Sequence, residues 1–182
     1  AVEGALLVGD VHGVAAALHT MHLSSLWERD CHLLIHPAEF AAAINNDLAK
    51  VVKDESFATA ICGVIDAKQR ILRFASAGGP PVLVVHPAGT VETLESPGFP
   101  FGMVDDASYD AVTAQLAPED SLLLFSDGAV EIHNANGEML GVEGLVRVLK
   151  TLGYPESGIN IGAVEEELLR FSNAIRLEDD LT

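Results

Sequence analysis

The spacing of apolar residues changes twice along the chain, and this constrains the fold more than any other feature. Up to residue 51 apolar side chains recur at intervals of three and four. Between 57 and 125 they fall in short runs or alternate, and from 141 the helical interval returns. A short strand over residues 5–8 runs into a loop at Gly9-Asp10. A helix follows Gly13, with Val14, Leu18, Met21 and Ser25 on one face and Ala15, Ala16 and Ala17 favouring it. A second helix starts at Pro37, where proline suits the first turn and Glu39 complements the dipole. Phe40, Ile44, Leu48 and Val51 form its stripe. Residues 57–66 and 70–75 read as strands joined by Ala67-Lys68-Gln69. In the second of them Arg70, Leu72 and Phe74 alternate with Ile71, Arg73 and Ala75. Residues 82–85 and 90–94 form a hairpin around Pro87-Ala88-Gly89. Residues 109–116 and 122–125 are two more strands, with Pro118-Glu119-Asp120 between them. The closing helices cover 141–152, striped by Leu145, Val148, Leu149 and Leu152, and 161–175, striped by Ile161, Val164, Leu168, Phe171 and Ile175. Successive strands on short turns imply antiparallel pairing, and helices grouped before and after them imply layers rather than crossovers.

The chain has 182 residues, 49% of them hydrophobic, enough for one domain with a large core. The whole chain, 1–182, reads as a single domain truncated at both ends and belonging to a larger signalling protein, because it opens on Ala1 and stops in mid-motif. No apolar run reaches the roughly 18 residues of a membrane helix, and no secretory signal is visible. Against 27 Asp plus Glu stand 10 Lys plus Arg, a formal charge of -17. Nucleic-acid binding needs a basic footprint, which is lacking. An anionic surface also repels phosphoproteins, so phosphate chemistry here needs cations to reverse the local field. Cys31 and Cys62 read as free thiols of a reducing, cytoplasmic protein.

Three acidic signatures stand where apolar runs meet turns: Gly9-Asp10-Val11, Phe125-Ser126-Asp127-Gly128 and Asp179-Asp180-Leu181-Thr182. Carboxylates so placed suit hard divalent cations, which take oxygen ligands. Two such cations can activate water and clamp a phosphoryl group. Competing chemistries are poorly supplied. His19 and His22, or His32 and His36, lack the paired cysteines or second element of a structural zinc site. Ser126 has no Gly-x-Ser-x-Gly elbow around it, and there is no Gly-x-x-x-x-Gly-Lys phosphate loop.

These motifs resemble the catalytic domain of bacterial PPM-type (type 2C) serine/threonine phosphatases of the SpoIIE class. The resemblance rests on Gly9-Asp10-Val11 opening an alanine-rich helix, Ala77-Gly78-Gly79-Pro80-Pro81, Pro100-Phe101-Gly102, Phe125 to Glu131, and Asp179 to Thr182, in the family's order. It implies an α+β fold, a four-layer αββα sandwich of two antiparallel sheets flanked by helices. It implies two divalent cations, Mn²⁺ or Mg²⁺. Asp10 would bridge them, the Val11 carbonyl would add a ligand, and Asp127 and Asp179 would hold the second ion. The implied reaction is in-line attack of a metal-bridging hydroxide on a phosphoserine or phosphothreonine, with Asp10, Asp127 and Asp179 as catalytic residues. The implied partner is a phosphorylated regulatory protein of the anti-sigma-factor antagonist type, with neither nucleic acid nor membrane involved. Any homodimer would form through an upstream domain.

The chain departs from that pattern at four points. Val11 meets His12-Gly13 directly where the family reads Gly-Asp-Val-Ser-Gly-His-Gly-Val, and Gly79 stands in place of histidine. The family's Gly-Gly-Asp strand, with a further metal-linked aspartate, would precede Ala1, and its closing apolar strand would follow Thr182. The alternative reading is a catalytically impaired phosphatase-like domain acting as a protein-binding regulatory module. A purely structural dimerisation domain is a third, against which the retained Asp10, Asp127 and Asp179 speak.

Overall fold

The computed structural model describes residues 4–12, 16–51 and 56–174, with residues 4–12 and 16–20 described by their backbone. They fall into two compact units, one within Ala1–Pro81 and Leu94–Leu116, the other within Val82–Thr93 and Ala117–Thr182.

The first unit is built on β1 (Gly4–His12), β2 (Phe57–Asp66), β3 (Ile71–Ala77) and β6 (Val112–Gln115). They form one antiparallel sheet in the order β1-β2-β3-β6. β1 does not stop at Gly9-Asp10 as expected. The ten residues of β2 offer it a ladder along its whole length, so Asp10 pairs with Thr59, Val11 with Ala58 and His12 with Phe57. Between β2 and β3 the chain reverses through Arg70 at φ 53, and the N–H of Gln69 donates to Asp66 Oδ1 at 2.9 Å. The Arg70 carbonyl accepts the N–H of Leu116 at 2.8 Å and Gln115 Nε2 at 3.0 Å, which ties this turn to the end of β6. The alternation expected over residues 70–75 holds from Ile71 to Phe74, after which Ala75, Ser76 and Ala77 are all buried.

On one face of this sheet lie α1 (Ala16–Asp30), a 3-10 helix (Cys31–Ile35) and α2 (Pro37–Val51). Their large side chains Leu26, Leu34, Phe40, Ile44 and Leu48 form one core with Ala58, Ala60, Cys62 and Val64, which alternate along β2. Small residues on the strands leave room for bulky ones on the helices, and this interlocking fixes the packing. Trp27 meets Phe40 edge-on, ring centres 5.4 Å apart. The expected α1 stripe is corrected at Met21 and Ser25, which are exposed, while Leu23, Leu26 and Trp27 face the core; Val14 and the Leu18 side chain lie outside the described residues. Leu26 and Trp27 offer more apolar area than a face ending in serine, so they decide the rotation. Phe40, Ile44 and Leu48 are buried as expected, whereas Val51 closes the helix in solvent.

The second unit carries the sheet β5-β4-β7, formed by β4 (Val82–Val85), β5 (Val91–Leu94) and β7 (Ser121–Leu123). The β4–β5 hairpin turns where expected, Gly89 taking φ 79 and donating to the His86 carbonyl at 2.8 Å. β7 ends earlier than expected. Leu83 pairs with Leu123, and the residues that would continue the ladder on β4 run into Pro80-Pro81, which have no N–H to give. Nor do β6 and β7 pair with each other, although only a short turn joins them. β6 belongs to β3 and β7 to β4. Residues 109–111, expected in β6, are instead held by the Tyr109 hydroxyl on the Phe99 carbonyl and Ser96 Oγ on the Asp110 carbonyl.

α3 (Gly141–Thr151) and α4 (Ile161–Ser172) supply Leu145, Leu149, Val164 and Leu168 to a second core with Leu83, Val85, Leu123 and Phe125. Asn160 caps α4 through Oδ1, which accepts the N–H of Ala163, and Asn173 ends it at φ 57. Ile161, expected in the α4 stripe, is exposed in the first turn, and Ile175 lies outside the described residues. No helix among the described residues is long and apolar enough to cross a membrane.

Candidate active site

In the first unit the relevant region is the end of the sheet that carries Asp10 and Val11. β3 gives out at Ala77, and two irregular segments take over its edge of β2. Ala60 bridges to Gly78, and Ala58 bridges to Phe101, with Ala58 N–H on the Phe101 carbonyl at 3.0 Å and the reverse bond at 2.8 Å. The motif turns Ala77-Gly78-Gly79-Pro80-Pro81 and Pro100-Phe101-Gly102 are therefore both seated on the strand that pairs with Asp10 and Val11. Ser76 clasps the first turn: its Oγ accepts the N–H of Gly79 at 3.1 Å and donates to the Gly79 carbonyl at 3.2 Å. A Cβ at Gly79 would stand 3.1 Å from Ile61 Cγ1 and 3.3 Å from Ser76 Oγ. Glycine thus fits this close turn where the family pattern has histidine.

In the second unit, Asp127 opens a 3-10 turn, Asp127–Ala129, after the extended Ser126. Its carbonyl accepts the N–H groups of Val130 and Glu131, both at 2.8 Å, and its Oδ1 accepts the N–H of Gly128 at 2.9 Å. Phe125, Ser126, Gly128, Ala129 and Val130 are all buried; Asp127 alone in this run is partly exposed. The local fold presents one carboxylate and hides everything around it. Glu131 is exposed and holds no position in the turn beyond its N–H.

Asp10 and Val11 thus lie in the first unit and Asp127 in the second. Asp179, the fourth site residue read from the sequence, lies outside the described residues. Among the described residues no three His, Cys, Asp or Glu side chains form a metal cage, a set that includes neither the Asp10 side chain nor Asp179. The donor types do fit a hard cation. Carboxylate and backbone carbonyl oxygens suit Mg²⁺ or Mn²⁺ rather than softer metals. β1 is also the sheet edge among the described residues, so alternate carbonyls along it are not spent on the ladder to β2.

Two polar features carry little signal in the sequence. His86 Nδ1 bonds Asp120 Oδ1 at 2.8 Å across 34 residues, and Asp120 Oδ2 accepts the N–H of Ala117 at 2.7 Å. The His86 hydrogen bond, followed by that N–H, holds the Asp120 carboxyl below its ordinary range. Asn45 is fully buried in α2, with Oδ1 accepting the N–H of Gly102 and Nδ2 donating to the Val104 carbonyl, both at 3.0 Å. A lone polar residue beside an apolar stripe is the only sequence trace of it. Cysteine chemistry finds no support: burial pushes the Cys62 thiol up to about 12, and both cysteines are free.

The arrangement of strands and helices is that of the PP2C phosphatase domain. It superposes on the SiaA-PP2C domain of Pseudomonas aeruginosa with a TM-score of 0.75, at 21% identity, covering 96% of this chain and 71% of that one. Against the phosphatase domain of the cell fate determinant SpoIIE from Bacillus subtilis the TM-score is 0.67, at 23% identity, with coverages of 97% and 75%. The family model described as Stage II sporulation protein E (SpoIIE) matches residues 3–182, and the chain belongs to that family, the SpoIIE class of bacterial PPM-type phosphatase domains. It is also 27% identical over 124 residues to the phosphoserine phosphatase RsbP of Bacillus subtilis (strain 168), a stretch covering 66% of this chain and 31% of RsbP. The chain spans less than a third of the curated relatives it matches.

Proposed function

We propose that this chain is the phosphatase domain of a longer cytoplasmic signalling protein, and that it hydrolyses phosphoserine or phosphothreonine on a regulatory protein of the anti-sigma-factor antagonist type. The observation that carries the reading is the family match over residues 3–182, which encloses Asp10, Asp127 and Asp179 in the expected order. The free cysteines fit a reducing compartment. Asp10, the Val11 carbonyl, Asp127 and Asp179 would hold two divalent cations. When bound, these supply Lewis acidity and lower the pKa of the attacking water. The chain's own part is positional. The β1–β2 ladder fixes the backbone of Asp10 and Val11, and the Asp127 turn holds one carboxylate oxygen on Gly128. With a formal charge of -17, the protein needs that cation charge to receive a phosphoryl group at all.

Asp10→Ala and Asp127→Ala should each abolish Mn²⁺-stimulated hydrolysis of p-nitrophenyl phosphate without loss of fold. Unchanged turnover in both would reject the site. One observation favours the second reading, a binding module without catalysis: β1 continues two residues beyond Asp10, so this aspartate sits within a ladder rather than at its open end. Calorimetric titration separates the two. Mn²⁺ binding that is lost in Asp10→Ala supports the enzyme, and no Mn²⁺ binding by the parent protein supports the module.

A further inference from the structure

We propose that residues 97–106 are the docking surface for the phosphoprotein, selecting a phosphoserine segment flanked by apolar and basic residues; this rests on the phosphatase reading above. Position comes first. Phe101 pairs with Ala58, and Ala58 pairs with Val11, so the loop is anchored two strand spacings from Val11, about 10 Å.

Second, the loop backbone is pinned at every turn. Asn45 holds Gly102 and Val104, the Tyr109 hydroxyl holds the Phe99 carbonyl at 3.0 Å, and the Gly98 carbonyl accepts the N–H of Gly78 at 2.9 Å. Phe101 is buried edge-on against Tyr109. Gly98 is packed so closely that a Cβ there would lie 2.2 Å from the Ser76 carbonyl oxygen. Yet this held backbone displays Phe99 at 57% exposure, Met103 at 50% and Val104 at 37%. Aromatic residues and methionine are enriched at protein interfaces, and a surface already rigid loses little freedom on binding.

Third, charge selects the occupant. Glu95, Asp105, Asp106 and Asp110 are all exposed around these apolar groups, and no Lys or Arg occurs between Arg73 and Arg147. Like charge opposes a second copy of this chain on that face, and it opposes an anionic bilayer. A basic and apolar peptide segment meets both properties of the loop.

The test uses the full-length protein with Mn²⁺ and three phosphoserine peptides, with Leu-Arg, Leu-Gln or Ser-Glu flanks. Phosphate release should give kcat/KM for the Leu-Arg peptide about tenfold above the Ser-Glu peptide. In Phe99→Ser/Met103→Ser this ratio should fall several-fold, to the part that the unchanged Asp105 and Asp106 supply. In Asp105→Asn/Asp106→Asn the preference for Leu-Arg over Leu-Gln should vanish while the preference for Leu over Ser persists; asparagine tolerates the positive φ of Asp106. Fluorescence anisotropy with the labelled Leu-Arg peptide reads docking without turnover. Binding lost in the Phe99/Met103 variant supports the surface even if no peptide is hydrolysed, an outcome that would reject the phosphatase reading alone. Equal ratios and equal binding in parent and variant would overturn the proposal. So would sedimentation showing a dimer that the same variant dissolves.

Discussion

The two units hold their candidate site residues by different means. In the first, Asp10 and Val11 belong to a nine-residue strand paired residue for residue with β2, and the sheet is braced by large helix side chains on small strand residues. In the second, Asp127 stands beyond the three-residue β7, on a short turn kept by its own carbonyl and carboxylate, by the Ser126 carbonyl on the Ala129 N–H at 3.1 Å and by the Val130 carbonyl on the Gly141 N–H at 2.9 Å. A ladder spreads the cost of any local change over many bonds. A short turn spreads it over only a few. Geometry at Asp10 should therefore tolerate neighbouring substitutions that geometry at Asp127 would not.

The largest effect expected is on activity. Asp127→Asn keeps the oxygen that receives the Gly128 N–H but loses the charge, so Mn²⁺-stimulated turnover should drop by about 10³-fold with little change in melting temperature. An equal drop accompanied by a collapsed melt would show that the turn, not the charge, was lost. Next come the two cores. Phe40→Ala should cost about 3–5 kcal/mol and Leu168→Ala about 2–5 kcal/mol in urea titrations. Trp27, the only tryptophan, touches Phe40, so its fluorescence midpoint should move further for Phe40→Ala than for Leu168→Ala. Equal movement would mean that the two units unfold as one.

A smaller loss is expected for Asn45→Ala, about 1–3 kcal/mol, because the Gly102 N–H and the Val104 carbonyl both lose their partner. Amide exchange at Gly102 should accelerate with it. The smallest effects concern pH. Lys50 and then Arg29 hold the Asp47 carboxyl below its ordinary 3.8, as His86 does for Asp120. A depressed folded-state value contributes stability above 3.8 that is lost as pH falls through the folded value, so both contributions disappear below pH 3.8. Asp47 lies among exposed partners and should lose its share in 1 M salt, whereas the Asp120 side chain is 1% exposed and should keep more of its own. Melts of Asp47→Asn and Asp120→Asn between pH 5 and 3, at low and high salt, would check both statements.

Much of this was legible because it is local. β2 and β4 have the bounds their residues suggest, and Phe40, Ile44 and Leu48 lie inside as their spacing requires. The motif order pointed to the family that the comparisons show. What failed depends on partners distant in sequence. The rotation of α1 is decided by what Leu26 and Trp27 meet, and the length of β1 by the length of β2. The separation of β6 from β7 is decided by β3 and β4. No nearby residue announces the His86–Asp120 bond or the Asn45 clasp. The meeting of Asp10, Asp127 and Asp179 is of the same non-local kind, and it remains a proposal.

The Arg70 turn carries a last consequence. Its carbonyl is gripped by donors from Leu116 and Gln115, neither of which belongs to the hairpin it closes. Opening the turn of this hairpin breaks both bonds, so β6, at the sheet's rim among the described residues, acts as a latch on it. Deuterium uptake at Leu116 should then keep time with that of the reversal it fastens, although some 46 positions of chain separate them.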